Sequence, residues 1–342
     1  MAEATTKAEV ERMVEDILDV IERGREREIV SRRFGLFDRK ETLEQIGELL
    51  GITRERVRQL EKAVVTKLKA SAKDLPHIAE VEKRFLSELQ ARGNVARVSE
   101  LSIALTGSND KLDQARVSFL ATLCPKLVVV DDNDHYFHAI AILDAHDEKQ
   151  LKDRVAKIID AIKAIGKPTS IDEVAAGVKS TDTNHTAALA SVSKHIATLN
   201  NRWGLVKWPM VNPKNIRDKI YVILHDNGKP LHFNEIAEAI KDSSFKRKDV
   251  TTQAIHNELI KDGRFVLIGR GIYALKEWGY EKGTVADIIT EVLKKAGEPL
   301  HRDEIVKRVL KSRQVKETTI LLNLQGKNQF KRVAKATYTI AE

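Results

Sequence analysis

The side chains whose chemistry is easiest to interpret lie between positions 54 and 62. Five polar residues fall on one side of a helix when successive residues are placed about 100° apart, and that side has no apolar residue: Arg54, Glu55, Arg58, Gln59 and Lys62. Arginine can donate two parallel hydrogen bonds to guanine, glutamine can do the same at adenine, and glutamate can accept from the amino group of cytosine. We call these five residues the reading face, because they suit the DNA major groove.

The surrounding charge favours DNA over the alternative of a solvated helix surface, which is the commoner meaning of charged side chains on a helix. Residues 54–73 hold seven Lys or Arg against two Glu. Arg56 lies on the flank of the reading face, where it is placed for a phosphate. We therefore predict that this helix binds DNA.

Two helices and a tight turn must position the reading face. Thr42 and Gln45 form a capping-box pattern before the first helix. Gly51 is placed to end that helix, and Thr53 can cap the next one. The apolar positions that follow helical spacing are Leu43, Ile46, Leu49 and Leu50 in the first helix and Val57, Leu60, Val64 and Leu68 in the second. The pattern predicts a helix-turn-helix over residues 41–70.

The segments REREIVSRRFGL, from residue 25, and ETLEQIGELLGITRERVRQLEKAVVTKL, from residue 41, resemble region four of primary bacterial sigma factors. The resemblance covers roughly residues 10–70. It implies base contacts from Arg54, Glu55, Arg58 and Gln59, and contacts nearer the DNA backbone from Thr53, Arg56 and Lys62. It also implies two partners, double-stranded promoter DNA with a −35-like element and the β flap of bacterial RNA polymerase core. The other sigma regions, including the aromatic helix that melts the −10 element, have no counterpart here.

An apolar helical stripe precedes the helix-turn-helix, and Gly24 is predicted to close that helix. Its members are Val10, Met13, Val14, Ile17, Leu18 and Ile21. In the sigma family this helix packs on the helix-turn-helix and helps form the flap-binding surface. Core packing is the plainer interpretation of each side chain.

Composition limits the class of protein. The formal net charge of +8 and the pI near 9.3 favour an anionic partner. A single cysteine, Cys124, excludes an intramolecular disulfide and is predicted to be a buried structural thiol. No apolar run approaches the ~18 residues of a membrane span, and the N-terminus lacks a signal-peptide core. We expect a cytoplasmic protein.

Four segments of the remaining chain align on a glycine, with an acidic residue seven positions later in each. The pairs are Gly93 and Glu100, Gly166 and Glu173, Gly228 and Glu235, and Gly297 and Glu304. Spacings of 73, 62 and 69 residues are too long for a solenoid and suit small domains in series. An apolar hairpin such as GRFVLIGRGIYALKEW follows a third helix, as in the wing of a winged helix.

The predicted fold is mainly α with small β-hairpin wings, a helix-turn-helix followed by four tandem winged-helix domains. The predicted boundaries are 1–73 for the helix-turn-helix, 76–148 for unit one, 149–212 for unit two, 213–280 for unit three and 281–342 for unit four. Unit three resembles the HARE-type winged helix, also found at the start of the RNA polymerase delta subunit, through PLHFNEIAEAI and NELIKDGRFVLIGRGIYALKEW. That resemblance implies a DNA or polymerase partner without choosing between them.

We predict no enzyme, cofactor or metal site. The repeated glutamates are interpreted as helix-start residues, with N-caps at Ser99, Asp172, Asn234 and Asp303. The one close histidine pair, His135 and His138 on a predicted strand, is interpreted as structural. No phosphate loop, nucleophile elbow or H-E-x-x-H segment occurs.

Wing charges differ between the units. Unit one has an acidic turn with Asp131, Asp132 and Asp134, which would repel phosphates, whereas unit four is predicted to offer a secondary DNA contact through Lys327, Lys331, Arg332 and Lys335. Exposed charge on a solvated wing is an equal alternative. The preferred function is a DNA-binding transcription protein that acts with RNA polymerase. The alternatives are a polymerase-associated accessory or anti-sigma protein whose winged helices bind protein, and an accessory factor of a DNA-modification system.

Overall fold

The computed structural model describes residues 7–245, 247, 249–280, 283–313, 315–326 and 328–341. The chain divides into two compact parts, residues 1–207 and 208–342. None of the helices in these described ranges is long and apolar enough to cross a membrane.

The first part begins with four helices. They are α1 (Lys7–Asp19), α2 (Gly24–Phe34), α3 (Leu43–Leu50) and α4 (Arg54–Ala70). The whole predicted stripe of α1 is buried, from Val10 to Ile21. The prediction for Gly24 was wrong: α1 ends at Asp19, and Gly24 is the first residue of α2. Ile21 reaches the core from the turn between the helices, so the buried stripe continues beyond the helix itself.

Unit one follows a short 3₁₀ turn at Ala72–Asp74. Its elements are α5 (Ile78–Ala91), β1 (Val95–Arg97), α6 (Val98–Thr106), α7 (Lys111–Leu123), β2 (Leu127–Val130) and β3 (Ala139–Ile142). The strands form an antiparallel sheet in the order β1-β3-β2. Cys124 is buried after α7, where burial raises the pKa of its thiol to about 12 and keeps it protonated. The predicted burial of this thiol is confirmed.

Unit two consists of α8 (Glu148–Ile165), α9 (Ile171–Gly177), α10 (Thr183–Ser191), β4 (Ile196–Leu199) and β5 (Arg202–Leu205). Thr169 forms an isolated bridge with Trp203 of β5. The hairpin of this unit consists of IATL at β4 and RWGL at β5.

The second part contains two similar three-stranded arrangements. The first has α11 (Ile216–Asn227), β6 (Leu231–His232), α12 (Phe233–Asp242), α13 (Thr252–Lys261), β7 (Phe265–Gly269) and β8 (Ile272–Leu275). The second has α14 (Val285–Ala296), β9 (Leu300–His301), α15 (Arg302–Ser312), α16 (Glu317–Gly326), β10 (Phe330–Ala334) and β11 (Thr337–Ile340). Each short strand pairs with the second strand of the hairpin, in the orders β6-β8-β7 and β9-β11-β10.

The aligned glycines have a common structural role. Gly93, Gly166, Gly228 and Gly297 all adopt a left-handed backbone, with φ between 64° and 84°. Residues with a Cβ rarely adopt this conformation, and glycine adopts it freely at helix C-termini. In each unit the chain then passes into an extended segment that pairs with the hairpin, and from there into the next helix.

The predicted N-caps were wrong by two residues. Ser99, Asp172, Asn234 and Asp303 are each the second residue of a helix, and the cap positions belong to Arg97, Ser170, His232 and His301. The extended segment leads directly into the helix, so its last residue has the non-helical backbone that a cap requires. The aligned glutamates therefore occupy the third helical position. There Glu235 accepts a hydrogen bond from the backbone N–H of His232 at 2.7 Å, as in a capping box.

One hydrophobic core runs through the first helices and unit one. It extends from Val10 in α1 to Ile142 in β3 and includes Phe85 and Phe119, both fully buried. A buried charge cluster links α1 with α7. Arg116, 1% exposed, donates to Leu36 O at 2.9 Å and to Glu11 Oε1 at 2.7 Å.

The cluster also contains a fully buried acidic residue, Asp113. Its carboxylate faces Lys7 Nζ at 3.2 Å and Arg116 Nη1 at 3.7 Å. Since α1 contributes Lys7 and α7 contributes the other two residues, these contacts fix the helices against each other. The helix-turn-helix and unit one therefore pack as one body.

We expect Arg116→Met to destabilise the first part of the chain by about 3 kcal/mol, because it removes one of two cations facing the buried Asp113 carboxylate. The measurement is urea titration of the full chain followed by circular dichroism. Arg92→Met is the matched control, because Arg92 makes an exposed i,i+4 pair with Glu88 and its loss should cost less than about 1 kcal/mol. Equal losses in the two variants would contradict the role given to Arg116.

Candidate nucleic-acid interface

Local hydrogen bonds set the geometry of the predicted helix-turn-helix. Gln45 N donates to Thr42 Oγ1 at 3.2 Å, and Thr42 N donates to Gln45 Oε1 at 2.9 Å. Gly51 ends α3 with a φ of 63°. Thr53 Oγ1 then accepts from Arg56 N at 3.2 Å and caps α4. The capping box, the left-handed glycine and the second cap are confirmed.

A small apolar cluster holds α2, α3 and α4 together. Ile29, Ile46 and Val57 are fully buried, and Leu43, Leu50, Ile52 and Leu60 pack against them. Leu49 was predicted on the same stripe, but it is 55% exposed. At about 100° per residue it lies on the opposite side of Ile46 from Leu43 and Leu50, so it points away from α4.

Gly47 allows the close approach of α3 to the turn. A Cβ at this position would lie 2.7 Å from Ile52 O, a backbone atom that cannot rotate away. Gly47 is itself buried within α3. The distance between the two helices of the motif therefore depends on the absence of a side chain here.

Alanine at Gly47 should destabilise the motif by about 1–3 kcal/mol, as overpacking does, although alanine normally favours a helix interior. Gly24→Ala is the matched control, because nothing lies within 4 Å of a Cβ at Gly24 and its φ is not positive. That change should be neutral or stabilising by up to about 1 kcal/mol. Urea titration of both full-length variants decides the comparison, and a Gly47→Ala chain as stable as Gly24→Ala would contradict it.

The reading face is exposed, and three of its side chains bond to one another. Arg58 makes two hydrogen bonds to Glu55, from Nε at 2.9 Å and from Nη2 at 2.6 Å. Gln59 Nε2 donates to the same carboxylate at 3.4 Å. The bond to Arg58 is the main reason that the pKa of Glu55 lies below its ordinary value, while Glu55 raises the pKa of Arg58.

Three other cations lie in this part of α4, namely Arg54, Arg56 and Lys62. Arg54 Nη1 lies 2.8 Å from Glu44 Oε1 of α3, and Arg56 Nη1 donates to Gln59 Oε1 at 3.4 Å. Lys62 is exposed about one turn beyond Arg58. Exposed ion pairs contribute less than about 1 kcal/mol each, so DNA groups can replace them at small cost. Sequence reasoning missed the contact between Arg54 and Glu44, because Glu44 lies ten positions earlier in the chain, on the other side of the turn.

The predicted secondary contact lies on the last hairpin. Lys331 and Arg332 are exposed on β10, and Lys335 is exposed in the turn between β10 and β11. Lys327 lies outside the described residues. Arg313, a cation that follows α15, is half-buried and donates to Gly283 O. It therefore holds the chain before α14.

The sequence placed His135 and His138 on a strand, and that placement was wrong. His135 and His138 precede β3, and His138 Nε2 lies 2.9 Å from Ser118 Oγ. His135 contacts His195 of unit two, a partner that no sequence spacing indicates. Within the described ranges, no three His, Cys, Asp or Glu side chains gather closely enough to hold a metal ion.

Two sequence comparisons with known proteins match the part of the chain that contains these helices. Residues 23–70 match the family described as sigma-70, region 4. The chain is also 41% identical over 69 residues to the RNA polymerase sigma factor SigA of a Bacillus species, which covers 20% of this chain and 18% of that protein. The chain thus spans less than a fifth of the length of this relative. The matched residues contain α2, α3 and α4, and residues 23–70 are a sigma-70 region 4 domain.

Proposed function

We propose that this chain is a sequence-specific DNA-binding protein of transcription initiation that acts with bacterial RNA polymerase. The observation that carries the proposal is the reading face of α4, which lies within a sigma-70 region 4 domain. Its side chains are exposed and polar, and three of them are hydrogen-bonded to each other. They include the donors and acceptors that discriminate base pairs in the major groove.

The recognition geometry follows from the motif. In a helix-turn-helix the second helix enters the major groove, and its N-terminal residues contact base edges. Here those residues are Arg54, Glu55, Arg58 and Gln59. Arg56 lies on the flank and Lys62 at the end of the reading face farther from the helix start, where a −35-like duplex would present its phosphates, and Thr53 holds the helix start.

The proposed polymerase contact cannot use the apolar stripe of α1, because that stripe is buried against unit one. An open groove of about 530 Å³ remains beside the end of α1, and Val20, Glu26, Ala63 and Lys67 are among its lining residues. Val20 is 48% exposed there. We assign the flap contact of the proposal to this groove, since it combines exposed apolar surface with charges at its rim.

The rest of the chain is proposed to be four winged-helix modules, of which unit three is of the HARE type. The repeated order of a helix, an extended segment, two helices and a hairpin supports this proposal. Unit four is proposed as a secondary DNA contact. Its hairpin presents Lys331, Arg332 and Lys335 to solvent, and such cations bind phosphates without reading bases.

A second candidate is a polymerase-associated accessory or anti-sigma protein whose modules bind protein. The observation that favours it is the hairpin connection of unit one, which binds unit two within the same chain. Lys194 Nζ meets Asp132 Oδ1 at 2.9 Å, and Tyr136 forms a backbone bridge with Ser193. The hairpin connection of unit one therefore contacts unit two of the same chain, at the position where the wing of a DNA-binding module would contact DNA.

Replacing Arg54 or Gln59 with Ala in the full chain should cost about 1–3 kcal/mol on the preferred duplex and relax the preference at one base pair. Lys62→Ala should weaken all duplexes about equally and lower the salt slope by roughly one. Lys67→Ala, farther along α4, is the control. Fluorescence anisotropy against a set of duplexes at several salt concentrations measures both effects. Wild-type affinity and preference in the Arg54 and Gln59 variants would exclude this reading mode.

The hairpin of unit four is tested by a triple charge reversal, K331E with R332E and K335E. We expect weaker binding to unrelated duplexes, with the salt slope lowered by about two to three because each lost phosphate contact removes about 0.9. Base preference should not change. The control reverses three exposed lysines of unit two, K149E with K157E and K167E, and so changes the net charge equally. The same loss in both triple variants would show a general charge effect and remove the secondary contact.

A further inference from the structure

Two histidine pairs join unit one to unit two. His146 Nε2 lies 3.1 Å from His185 Nε2, and the rings are parallel within 5°. His135 Nδ1 lies 2.8 Å from His195 Nε2. The first member of each pair belongs to unit one and the second to unit two, so we call this contact region the histidine junction. It does not overlap the reading face.

The hydrogen bonds of the buried pair fix its protons. His185 Nδ1 lies 2.7 Å from Gly93 O, and a carbonyl oxygen can only accept, so this nitrogen carries a proton. In a neutral ring the other nitrogen, Nε2, then has a lone pair and accepts from His146 Nε2–H. His146 is fully buried, and its Nδ1 has no hydrogen-bond partner in the described part of the chain. A proton on His146 would therefore add an N–H at Nδ1, in a buried position that has no acceptor.

A proton added to either ring is opposed by its surroundings. On His185 it would drive the His146 proton to Nδ1, which has no acceptor, and it would face Arg154 Nη1, which lies 3.3 Å from Nε2. On His146 it would place charge in a buried site. Burial, followed by the charges of His185 and Arg154, lowers the pKa of His146 to about 4, against a smaller raising effect from Asp147. Asp182 also faces α10, where it accepts from His185 N.

The other contacts of the junction use the backbone and strong ions. Phe137 N donates to Val192 O at 2.9 Å, and Lys194 N donates to His135 O at 2.8 Å. Arg97 donates to Ser191 O and stacks 3.8 Å over the Phe137 ring. Backbone N–H and carbonyl groups do not titrate between pH 8 and 5. The junction also contains the pair of Lys194 with Asp132, and Lys152 beside the Tyr136 ring. The contact of His146 with His185 is therefore the part of the junction that acid can change.

We propose that the histidine junction is an acid-sensitive joint, which opens when His146 takes up a proton and releases the hairpin of unit one from unit two. The bond between His135 and His195 is a second contact that opening breaks. Opening frees the acidic connection 131–134 from Lys194 and changes the surface that units one and two present. The inference does not depend on the proposed DNA-binding function.

The direction of the pH dependence follows from linkage. His146 has a lower pKa in the closed junction than its ordinary value of 6.5, so the open form binds protons more readily. Its contribution to closure is complete above pH 6.5 and is lost as the pH falls towards 4. For an opening that returns His146 to its ordinary pKa, the opening constant at pH 5 should be roughly 30-fold that at pH 8.

Hydrogen exchange of the full chain tests this joint directly. The amides of Phe137 and Lys194 report junction opening, and that of Lys276, bonded to Arg264 O at 2.8 Å in unit three, is the internal reference. After correction for intrinsic exchange, the protection of the junction amides should fall about 30-fold more than that of the reference between pH 8 and 5. Equal pH dependence of junction and reference would overturn the proposal.

Two variants assign the effect to the buried pair. His146→Gln keeps a donor near Nε2 and removes the titrating ring, and His185→Asn keeps a donor for Gly93 O. Both should reduce the extra loss of protection at pH 5, while His225→Gln, outside the junction, should leave it unchanged. An undiminished loss in both junction variants would overturn the assignment. If neither variant folds at pH 8, the wild-type comparison of junction and reference amides still decides the proposal.

Discussion

The burial of the apolar face of α1 is the constraint on which the first part of this protein depends. Ile17 and Val14 are fully buried, and the core they join continues through Phe85 and Phe119 of unit one. Exposing such a face to water would cost roughly 25 cal/mol for each Å². The helix-turn-helix therefore needs unit one beside it, and the buried Arg116 and Asp113 cluster fixes the direction in which the two pack.

This packing changes what the region 4 domain can offer to a partner. The reading face of α4 lies on the side away from the core and keeps its side chains in water. The apolar face of α1, by contrast, is already used. An open groove lies between the end of α1 and α4, with Val20 and Lys67 among its lining residues. A region 4 domain is thus combined here with its own internal partner.

The four repeated units share local geometry but differ in the use of their hairpins. In unit one the connection after β2 is acidic and binds unit two through Asp132 and Tyr136. In unit four the hairpin is basic and exposed at Lys331, Arg332 and Lys335. Backbone pairing and a left-handed glycine build the repeat, whereas charge at the hairpin decides what can lie against it. Similar units can therefore serve different contacts in one chain.

The sequence by itself determined the features that depend on neighbouring residues. Thr42 with Gln45, Gly51 and Thr53 fix the helix-turn-helix through bonds spanning three or four residues, and helical spacing alone places the reading face. The four aligned glycines predict the helix ends for the same reason. The caps of the repeats were misplaced by two residues, because an extended segment enters each helix without a turn that sequence spacing reveals.

Only the tertiary structure decided the contacts between distant residues. It placed α1 against α7, left Leu49 exposed, paired Arg54 with Glu44 and brought His146 to His185. The partners of these pairs lie between 10 and more than 100 residues apart, and an apolar or charged side chain carries no mark of which distant surface it will meet. Hydrophobic faces can pack in many ways, and one arrangement is selected by the shapes and buried charges of the whole folded chain.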